Sequence, residues 1–258
     1  MSEPLTFQGR RLDHRWIEAT APDAPTLVFL HEGLGSVGLW RDFPDRVCAA
    51  TGSPALVYSR LGHGRSDPPS GPRDLGYLHH EALEVLPAVL DRFGIGAPIL
   101  IGHSDGASIA LIHAARSGRP VRGLVLEAPH SFVEPVTLAG IREAMEAART
   151  TDLIERLDRH HDDARTLFHA WADIWLSPPF AGWTIEALLP AVRCPTLVIQ
   201  GEGDEYGTPE QVHAITRQVS GPAEGMLLAD CGHTPHRDQP QAVLDATAAF
   251  IRASYPTS

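Results

Sequence analysis

Short apolar runs alternate with longer helical patterns along most of this 258-residue chain. Most of the apolar runs are β-branched or leucine-rich and are bounded by Gly, Pro or Asp; they lie at 26–30, 55–58, 99–101, 124–127, 196–199 and 225–228. Runs of this length are typical of strands buried on both faces. A weaker pattern predicts an antiparallel hairpin within 5–18, and helices are predicted at 77–93, 104–117, 209–219 and 240–252. The alternation predicts an α/β fold with a mainly parallel central sheet flanked by helices.

The strand pattern stops between residues 134 and 190. This stretch has a helical pattern, contains Trp171, Trp175 and Trp183, and is interrupted by consecutive prolines. We therefore predict a helical cap, residues 133–190, inserted into a core formed by residues 1–132 and 191–258. Tryptophans in such a segment are most often core residues, but a cap over a site must also present apolar surface to the cavity.

The charge balance of the chain narrows the choice of partners. Its 32 acidic and 21 basic residues give a net charge of −11, which disfavours binding to nucleic acid and to anionic membrane surfaces. The first ten residues lack the basic-then-apolar pattern of a secretory signal, and no apolar run is long enough to span a bilayer. We expect a cytoplasmic monomer or homodimer that acts on a small-molecule substrate.

Cysteine and histidine patterns give no sign of a metal site. Cys48, Cys194 and Cys231 are odd in number and widely spaced, so they are predicted to be small buried apolar residues. The histidine pairs at 79–80 and 160–161 are adjacent, and adjacent residues on a helix do not face one point. Neither a metal nor a cofactor is expected.

Ser104 occupies the centre of a Gly-His-Ser-Asp-Gly motif, residues 102–106, between a predicted strand and a predicted helix. Small residues on both sides allow the tight turn that lifts a serine hydroxyl clear of a sheet. A serine hydroxyl is a weak nucleophile near neutral pH, so it requires a general base, and that base requires an orienting carboxylate. The motif is common by chance, but its position between strand and helix favours a nucleophile.

Two later loops provide the groups that such a serine needs. One predicted strand leads into a Gly-rich loop that contains Asp204, with Glu202 and Glu205 as alternative carboxylates. The next predicted strand leads into a loop that ends at His233. Because the carboxyl ends of parallel strands lie at one edge of the sheet, Ser104, Asp204 and His233 are expected to meet there.

Five segments in this order and spacing resemble the α/β-hydrolase superfamily over nearly the whole chain: 31–36, 60–67, 102–106, 201–204 and 232–233. The resemblance implies a serine-nucleophile, esterase-like member in which Ser104, Asp204 and His233 form a catalytic triad. It favours Asp204 over Glu202 and Glu205, because Asp204 ends a G-x-x-D motif at the position where the superfamily carries its acid. It also implies that the inserted helices form a lid over the site.

The same resemblance implies an oxyanion hole built from two backbone N–H groups. One belongs to Asp105, directly after the nucleophile. The other comes from the loop after the first parallel strand, where Gly33 is the donor by alignment and Leu34 is the alternative. Two such donors stabilise the negative charge that develops on the attacked carbonyl oxygen.

Two carboxylates depart from the pattern of the superfamily. Glu32 stands where a glycine is more common, and Asp105 stands where an apolar or amide residue is more common. Either both side chains point away from the pocket and cap backbone N–H groups, or one of them lines it and selects a cationic or hydrogen-donating substrate. An aspartate nucleophile, as in related epoxide hydrolases and haloalkane dehalogenases, would occupy the position of Ser104, so Asp105 is not predicted to serve as one.

Four side chains are candidates for substrate contact. Glu32 lies on the oxyanion loop, His130 and Phe132 follow a predicted strand, and His236 follows the predicted base by three residues. For His236 the pattern leaves open a bond to Asp238 instead of a place in the pocket.

The sequence thus predicts a serine hydrolase that cleaves a small-molecule carboxylic ester-like bond through an acyl-enzyme. Alternatives with the same machinery are a C–C bond hydrolase of ring-cleavage products, a thioesterase and a lactonase. A ligand-binding receptor with a vestigial triad is an alternative of another class, because fold alone does not fix function. The intact set of Ser104, Asp204 and His233 argues against a receptor.

Overall fold

The computed structural model describes residues 5–21 and 23–254. Its strands are β1 (Thr6–Phe7), β2 (Arg10–Arg11), β3 (His14–Ile17), β4 (Leu27–Leu30), β5 (Ala55–Tyr58), β6 (Ile99–His103), β7 (Gly123–Glu127), β8 (Thr196–Gly201) and β9 (Ala223–Leu228). Its helices are α1 (Phe43–Thr51), α2 (Tyr77–His80), α3 (Leu86–Arg92), α4 (Asp105–Arg116), α5 (Pro135–Thr150), α6 (Leu153–Asp158), α7 (Ala164–Trp175), α8 (Glu210–Gln218), α9 (Pro235–Asp238) and α10 (Pro240–Ala253). A π-helical turn, Glu81–Val85, joins α2 to α3.

Among the described residues, seven strands form one sheet in the order β3-β5-β4-β6-β7-β8-β9. The pairs from β5 across to β9 are parallel, and β3 pairs antiparallel with β5 at one edge. Strands β4 to β8 are buried along their whole length, which agrees with their continuous apolar sequences. The predicted α/β fold with a mainly parallel sheet is confirmed.

The amino-terminal prediction was correct in part. Strands β1 and β2 form an antiparallel hairpin, with Gln8 and Gly9 at positive φ in the turn. Residues 14–17 do not belong to this hairpin, because as β3 they pair with β5 in the main sheet. Helix α1 had no counterpart in the sequence prediction, although its buried Phe43, Val47 and Cys48 have helical spacing.

Helices α5, α6 and α7 and two 3₁₀ turns, Phe180–Gly182 and Glu186–Ala191, lie between β7 and β8. The tryptophans of α7 are largely buried, and the Trp183 ring stacks on Phe180 with centroids 5.4 Å apart. We refer to residues 133–190 as the inserted segment. Its helices α5 and α7 contribute side chains to a cavity beside Ser104.

The cysteines form no disulfide. Cys48 and Cys231 are buried as expected, whereas Cys194 is half-buried. Within the described ranges, no helix has both the length and the apolar character needed to cross a bilayer. The same ranges contain no cluster of three or more His, Cys, Asp or Glu side chains arranged to hold a metal ion.

Gly106 shows how tightly α4 packs against the sheet. A Cβ atom at this position would overlap the backbone carbonyl of Leu30 on β4, which is not free to move aside. We therefore expect Gly106→Ala to lower the free energy of unfolding by about 3 kcal/mol. Gly96→Ala is the matched control, because a Cβ there meets no atom within 4 Å, and it should change stability by less than about 0.5 kcal/mol. Urea unfolding would measure the free energy of unfolding of both variants. Equal values for the two would contradict the close packing of α4 on β4.

Candidate active site

Ser104 sits between β6 and α4 with φ 52° and ψ −115°, a conformation that side-chain-bearing residues rarely adopt. The surrounding backbone holds it there. The Ser104 N–H donates to the carbonyl of Glu127 at 2.9 Å, and its carbonyl accepts the N–H groups of Ala107 and Ser108 at 2.9 and 3.1 Å. A Cβ at Gly102 would overlap the backbone of the next turn, so a glycine is required before the serine. The turn thus presents the hydroxyl beyond the strand end.

Of the three residues predicted as a triad, His233 lies within hydrogen-bonding distance of both Ser104 and Asp204. His233 Nε2 is 3.0 Å from Ser104 Oγ. His233 Nδ1 is 2.8 and 3.0 Å from the two carboxylate oxygens of Asp204. Because Asp204 accepts from Nδ1–H, Nε2 is left as the acceptor of the Ser104 hydroxyl proton. This is the arrangement that general-base activation of a serine requires.

Asp204 is held in its ionised form. Burial raises the pKa of this carboxyl group, but the charge and hydrogen bond of His233, together with the Tyr206 N–H at 2.8 Å, outweigh burial and hold the pKa below its ordinary value. The competing carboxylates do not contact the imidazole. Glu205 instead accepts the backbone N–H of His233 at 3.2 Å, and Glu202 is exposed.

A cavity of about 80 Å³ opens beside the Ser104 hydroxyl. Apolar and aromatic side chains from the inserted segment form much of its wall: Ile141, Trp171 and Trp175. Two of the predicted contact residues, Glu32 and His130, line it. Burial and the nearby His233 lower the pKa of His130 to about 3, so His130 is neutral near neutral pH.

The other two predicted contact residues lie elsewhere. His236 Nδ1 is 2.8 Å from Glu127 Oε2, and the ring packs against both Trp40 and Phe43. His236 was predicted either to line the pocket or to bond to Asp238, and it does neither. Its partner is instead Glu127, a fully buried carboxylate at the end of β7. Phe132 pairs through a β-bridge with Thr184 and is not among the residues that line the cavity.

Two backbone N–H groups lie at the cavity beside Ser104, and a third follows Ser104 in the chain. Gly33 and Leu34 both line the cavity, and among the described residues their N–H groups have no backbone or side-chain acceptor. Asp105 is the first residue of α4, so its N–H has no intrahelical acceptor. The Trp171 ring packs on the loop so closely that a Cβ at Gly33 would lie 2.5 Å from it.

The Asp105 carboxylate points away from this cavity into the core. It accepts a hydrogen bond from the Tyr77 hydroxyl at 2.9 Å and lies 3.4 Å from the Arg60 guanidinium. The Trp175 indole N–H in turn donates to the Tyr77 hydroxyl at 2.9 Å. Sequence reasoning missed Arg60 and Tyr77. The available signal was that Arg60 comes two residues after β5, at the same sheet edge as Ser104.

Glu32 lies at the edge of the cavity, where it contacts His103, the residue before the nucleophile. Glu32 Oε2 is 3.5 Å from His103 Nδ1, and His103 Nε2 donates to the backbone carbonyl of His233 at 2.6 Å. Burial lowers the pKa of His103, but the Glu32 carboxylate outweighs burial and raises it to about 9. His103 is therefore an imidazolium that links Glu32 to the loop of His233.

Glu32→Gln is expected to destabilise the protein in a pH-dependent way. The pKa of His103 lies above its unfolded value of about 6.5, so the pair's stabilisation is present below that pH and is lost as pH rises through about 9. We expect a loss of about 3 kcal/mol near pH 6 that shrinks toward pH 9. Urea unfolding at pH 6, 7.5 and 9 would measure it, with the exposed Glu202→Gln as control. A loss of unfolding free energy that is the same at all three pH values would contradict the pairing of Glu32 with His103.

Known proteins are similar to this chain over most of its length. A family model described as "Alpha/beta hydrolase family" matches residues 27–246. The chain is 26% identical over 266 residues to the 2-succinyl-6-hydroxy-2,4-cyclohexadiene-1-carboxylate synthase of Klebsiella pneumoniae, covering 89% of this chain and 95% of that protein. It is 25% identical over 268 residues to a haloalkane dehalogenase of Bradyrhizobium diazoefficiens, covering 99% and 78%.

Solved structures show the same fold. The enol-lactonase of Burkholderia xenovorans LB400 superimposes with a TM-score of 0.74 at 20% sequence identity, and the match covers 96% of this chain and 99% of that one. At this identity, the similarity concerns the fold alone.

Proposed function

The chain belongs to the α/β hydrolase family, and on that premise we propose that it is a serine hydrolase that cleaves a small-molecule carboxylic ester-like bond through an acyl-enzyme. The observation that carries the proposal is the 3.0 Å separation of Ser104 Oγ from His233 Nε2, with Asp204 on the opposite ring nitrogen. A pure binding protein has no need for this alignment or for a serine held at positive φ.

In the proposed reaction, His233 accepts the hydroxyl proton of Ser104 as the oxygen attacks the carbonyl carbon. Asp204 holds the imidazole tautomer and stabilises the imidazolium that forms. The backbone N–H groups of Asp105 and of Gly33, or Leu34 in its place, receive the developing oxyanion. His233 then protonates the leaving group, and a water molecule activated by the same imidazole hydrolyses the acyl-enzyme. Protein groups and water are sufficient for every step.

The size of the cavity beside Ser104 favours a substrate with a small acyl group. Its volume of about 80 Å³ is well below the roughly 300–1,000 Å³ of pockets that enclose drug-sized ligands. Residues 133–190 act as the cap in this proposal, because α5 and α7 supply the apolar wall that faces Ser104. We expect p-nitrophenyl acetate and propionate to be turned over with higher kcat/KM than the octanoate.

Active-site labelling tests the proposal directly. The native protein is treated with a fluorophosphonate probe and digested, and the labelled peptide is identified by mass spectrometry; turnover of the p-nitrophenyl ester series is measured in parallel. We expect the label on Ser104, with heat-denatured protein unlabelled. Failure of both labelling and turnover would overturn the proposal.

The same experiment separates the alternatives. Thioester and lactone substrates and a ring-cleavage product added to the panel would reveal a thioesterase, a lactonase or a C–C bond hydrolase by their relative kcat/KM. Labelling of Ser104 without turnover of any member of the panel would favour a ligand-binding protein with a vestigial triad.

A further inference from the structure

Three donors converge on the carbonyl oxygen of Glu32, in the loop that follows β4. The Arg60 guanidinium donates to it from Nη2 at 2.8 Å, and His31 Nδ1 lies 2.7 Å from it. The backbone N–H of Gly35 donates to the same oxygen at 3.0 Å. This carbonyl belongs to the peptide group that carries the N–H of Gly33, one of the candidate oxyanion donors.

The contacts of His31 determine which of its ring nitrogens donates. The backbone N–H of Arg60 donates to His31 Nε2 at 3.0 Å, so Nε2 is an acceptor and the proton is on Nδ1. Burial and the cationic Arg60 hold the pKa of His31 well below its ordinary value, which keeps the ring neutral, as this arrangement requires. The Nδ1–H group therefore donates to the Glu32 carbonyl.

A carbonyl held in this way sets the direction of the N–H in the same peptide. The peptide between Glu32 and Gly33 is trans and planar, so its C=O and N–H groups point in opposite directions. Gly33 lines the cavity beside Ser104, and its N–H has no acceptor among the described residues. A cation bonded to the carbonyl also polarises the peptide and strengthens the N–H as a donor. The Gly33 N–H is thus left free on the side of the peptide opposite Arg60.

Arg60 also contacts the residue that carries the second predicted oxyanion donor. Its Nη2 lies 3.4 Å from Asp105 Oδ2, and both side chains are buried. Asp105 directly follows Ser104 at the start of α4, where its backbone N–H has no intrahelical acceptor. One guanidinium therefore joins the two backbone segments on which the proposed oxyanion hole depends.

Stability alone does not explain an arginine at this position. The Nε and Nη1 atoms of Arg60 are buried and have no acceptor within the described part of the chain. A buried cation that is only partly hydrogen-bonded costs stability. The side-chain contacts that Arg60 does form, with Glu32 and Asp105, are those that orient the two predicted donors.

We propose that Arg60 and His31 are positioning residues, which hold the peptide of Gly33 so that its N–H receives the oxyanion. The inference rests on the proposed serine-hydrolase reaction. It adds to that reaction two residues that do not line the cavity beside Ser104 and act through the backbone of Glu32.

Steady-state kinetics of Arg60→Met test the role of the guanidinium. With p-nitrophenyl acetate, kcat should fall about 100-fold while KM stays within about threefold, because an oxyanion donor acts mainly in the transition state. The value of kcat is normalised to the fraction of protein that a fluorophosphonate labels at saturation, which removes the contribution of unfolded protein. Arg119→Gln is the control, because Arg119 pairs with Asp91 away from the site, and it should keep kcat within about twofold.

A matched pair of variants tests His31. His31→Asn places an amide NH₂ near the position of Nδ1 and keeps a donor to the Glu32 carbonyl, whereas His31→Leu removes that donor. Both variants lose the acceptor of the Arg60 N–H, so the difference between them reports the bond to Glu32. We expect kcat to fall at least about 10-fold in His31→Leu and to stay within about threefold in His31→Asn. If circular dichroism shows that Arg60→Met is unfolded, this pair decides.

Inhibitor binding gives a readout that a general disturbance of the cavity would not reproduce. Ser104 Oγ adds to the carbonyl carbon of a small trifluoromethyl ketone, His233 takes the hydroxyl proton, and the carbonyl oxygen becomes an oxyanion. The inhibition constant of the ketone should rise about 100-fold in Arg60→Met. The inhibition constant of the corresponding alcohol, which has no carbonyl, should change by less than about twofold.

The outcomes separate this inference from the proposed function. Ester turnover by the native protein, with kcat unchanged in Arg60→Met and His31→Leu, would overturn the inference, leave the hydrolysis standing and favour Leu34 as the donor. Equal weakening of the ketone and the alcohol, or equal losses in His31→Asn and His31→Leu, would also overturn it. A native protein that neither turns over esters nor reacts with the fluorophosphonate would overturn both proposals.

Discussion

Replacing Ser104 with alanine is expected to lower kcat for p-nitrophenyl acetate by about 10⁶-fold. The substitution removes the attacking oxygen, and His233 and Asp204 then have no hydroxyl to activate. The alanine side chain fits wherever the serine fits, so the fold should be retained. The loss of kcat would be measured from p-nitrophenyl acetate turnover by the purified variant, and the loss of the nucleophile from fluorophosphonate labelling.

The matched control for this experiment is Ser220→Ala. Ser220 is exposed after α8, and its hydroxyl donates to the carbonyl of Pro190 at 2.8 Å. Its kcat should remain within about twofold of the native value, because surface substitutions rarely disturb a distant site. Turnover that survives in Ser104→Ala would show that another residue is the nucleophile.

The second large effect is expected for Asp204→Asn, which should lower kcat about 10⁴-fold. An amide in place of the carboxylate can donate to His233 Nδ1, and this favours the tautomer with the proton on Nε2. That tautomer cannot accept the proton of Ser104. The amide also removes the negative charge that stabilises the imidazolium during the reaction.

Glu202→Gln is the control for the identity of the acid, because Glu202 belongs to the same loop and does not contact the imidazole. We expect its kcat to change by less than about twofold. Glu205→Gln is informative as well, since Glu205 contacts the backbone of His233. A loss in Glu205→Gln that exceeds the loss in Asp204→Asn would show that the acid is wrongly assigned.

The fold could be predicted from the alternation of apolar runs and helical patterns. The proximity of Ser104, Asp204 and His233 could be predicted because each lies at the end of a strand. Each of the three follows a buried apolar run, and parallel strands bring their carboxyl ends to one edge whatever the rest of the chain does. The resemblance to the α/β-hydrolase superfamily is confirmed by the match over residues 27–246. The catalytic roles of these residues stay predictions.

Side-chain directions were less predictable, because they depend on partners that are remote in the sequence. Asp105 was expected to cap backbone N–H groups or to line the pocket, but Tyr77 and Arg60, which are 28 and 45 residues away, hold its carboxylate instead. His236 is likewise held by Glu127, 109 residues earlier in the chain. Local sequence patterns contain no information about such pairings.

The hydrogen bond between Trp175 and Tyr77 has a consequence for the rate of substrate exchange. It ties α7 of the inserted segment to the residue that holds Asp105, directly after Ser104. Any outward swing of α7 must break this bond, at a cost of about 1 kcal/mol, and must wet the indole. Trp175 emission would therefore shift to the red whenever the entrance opens. If residues 133–190 act as the proposed cap, this change in tryptophan emission would report its opening and could be timed against product release.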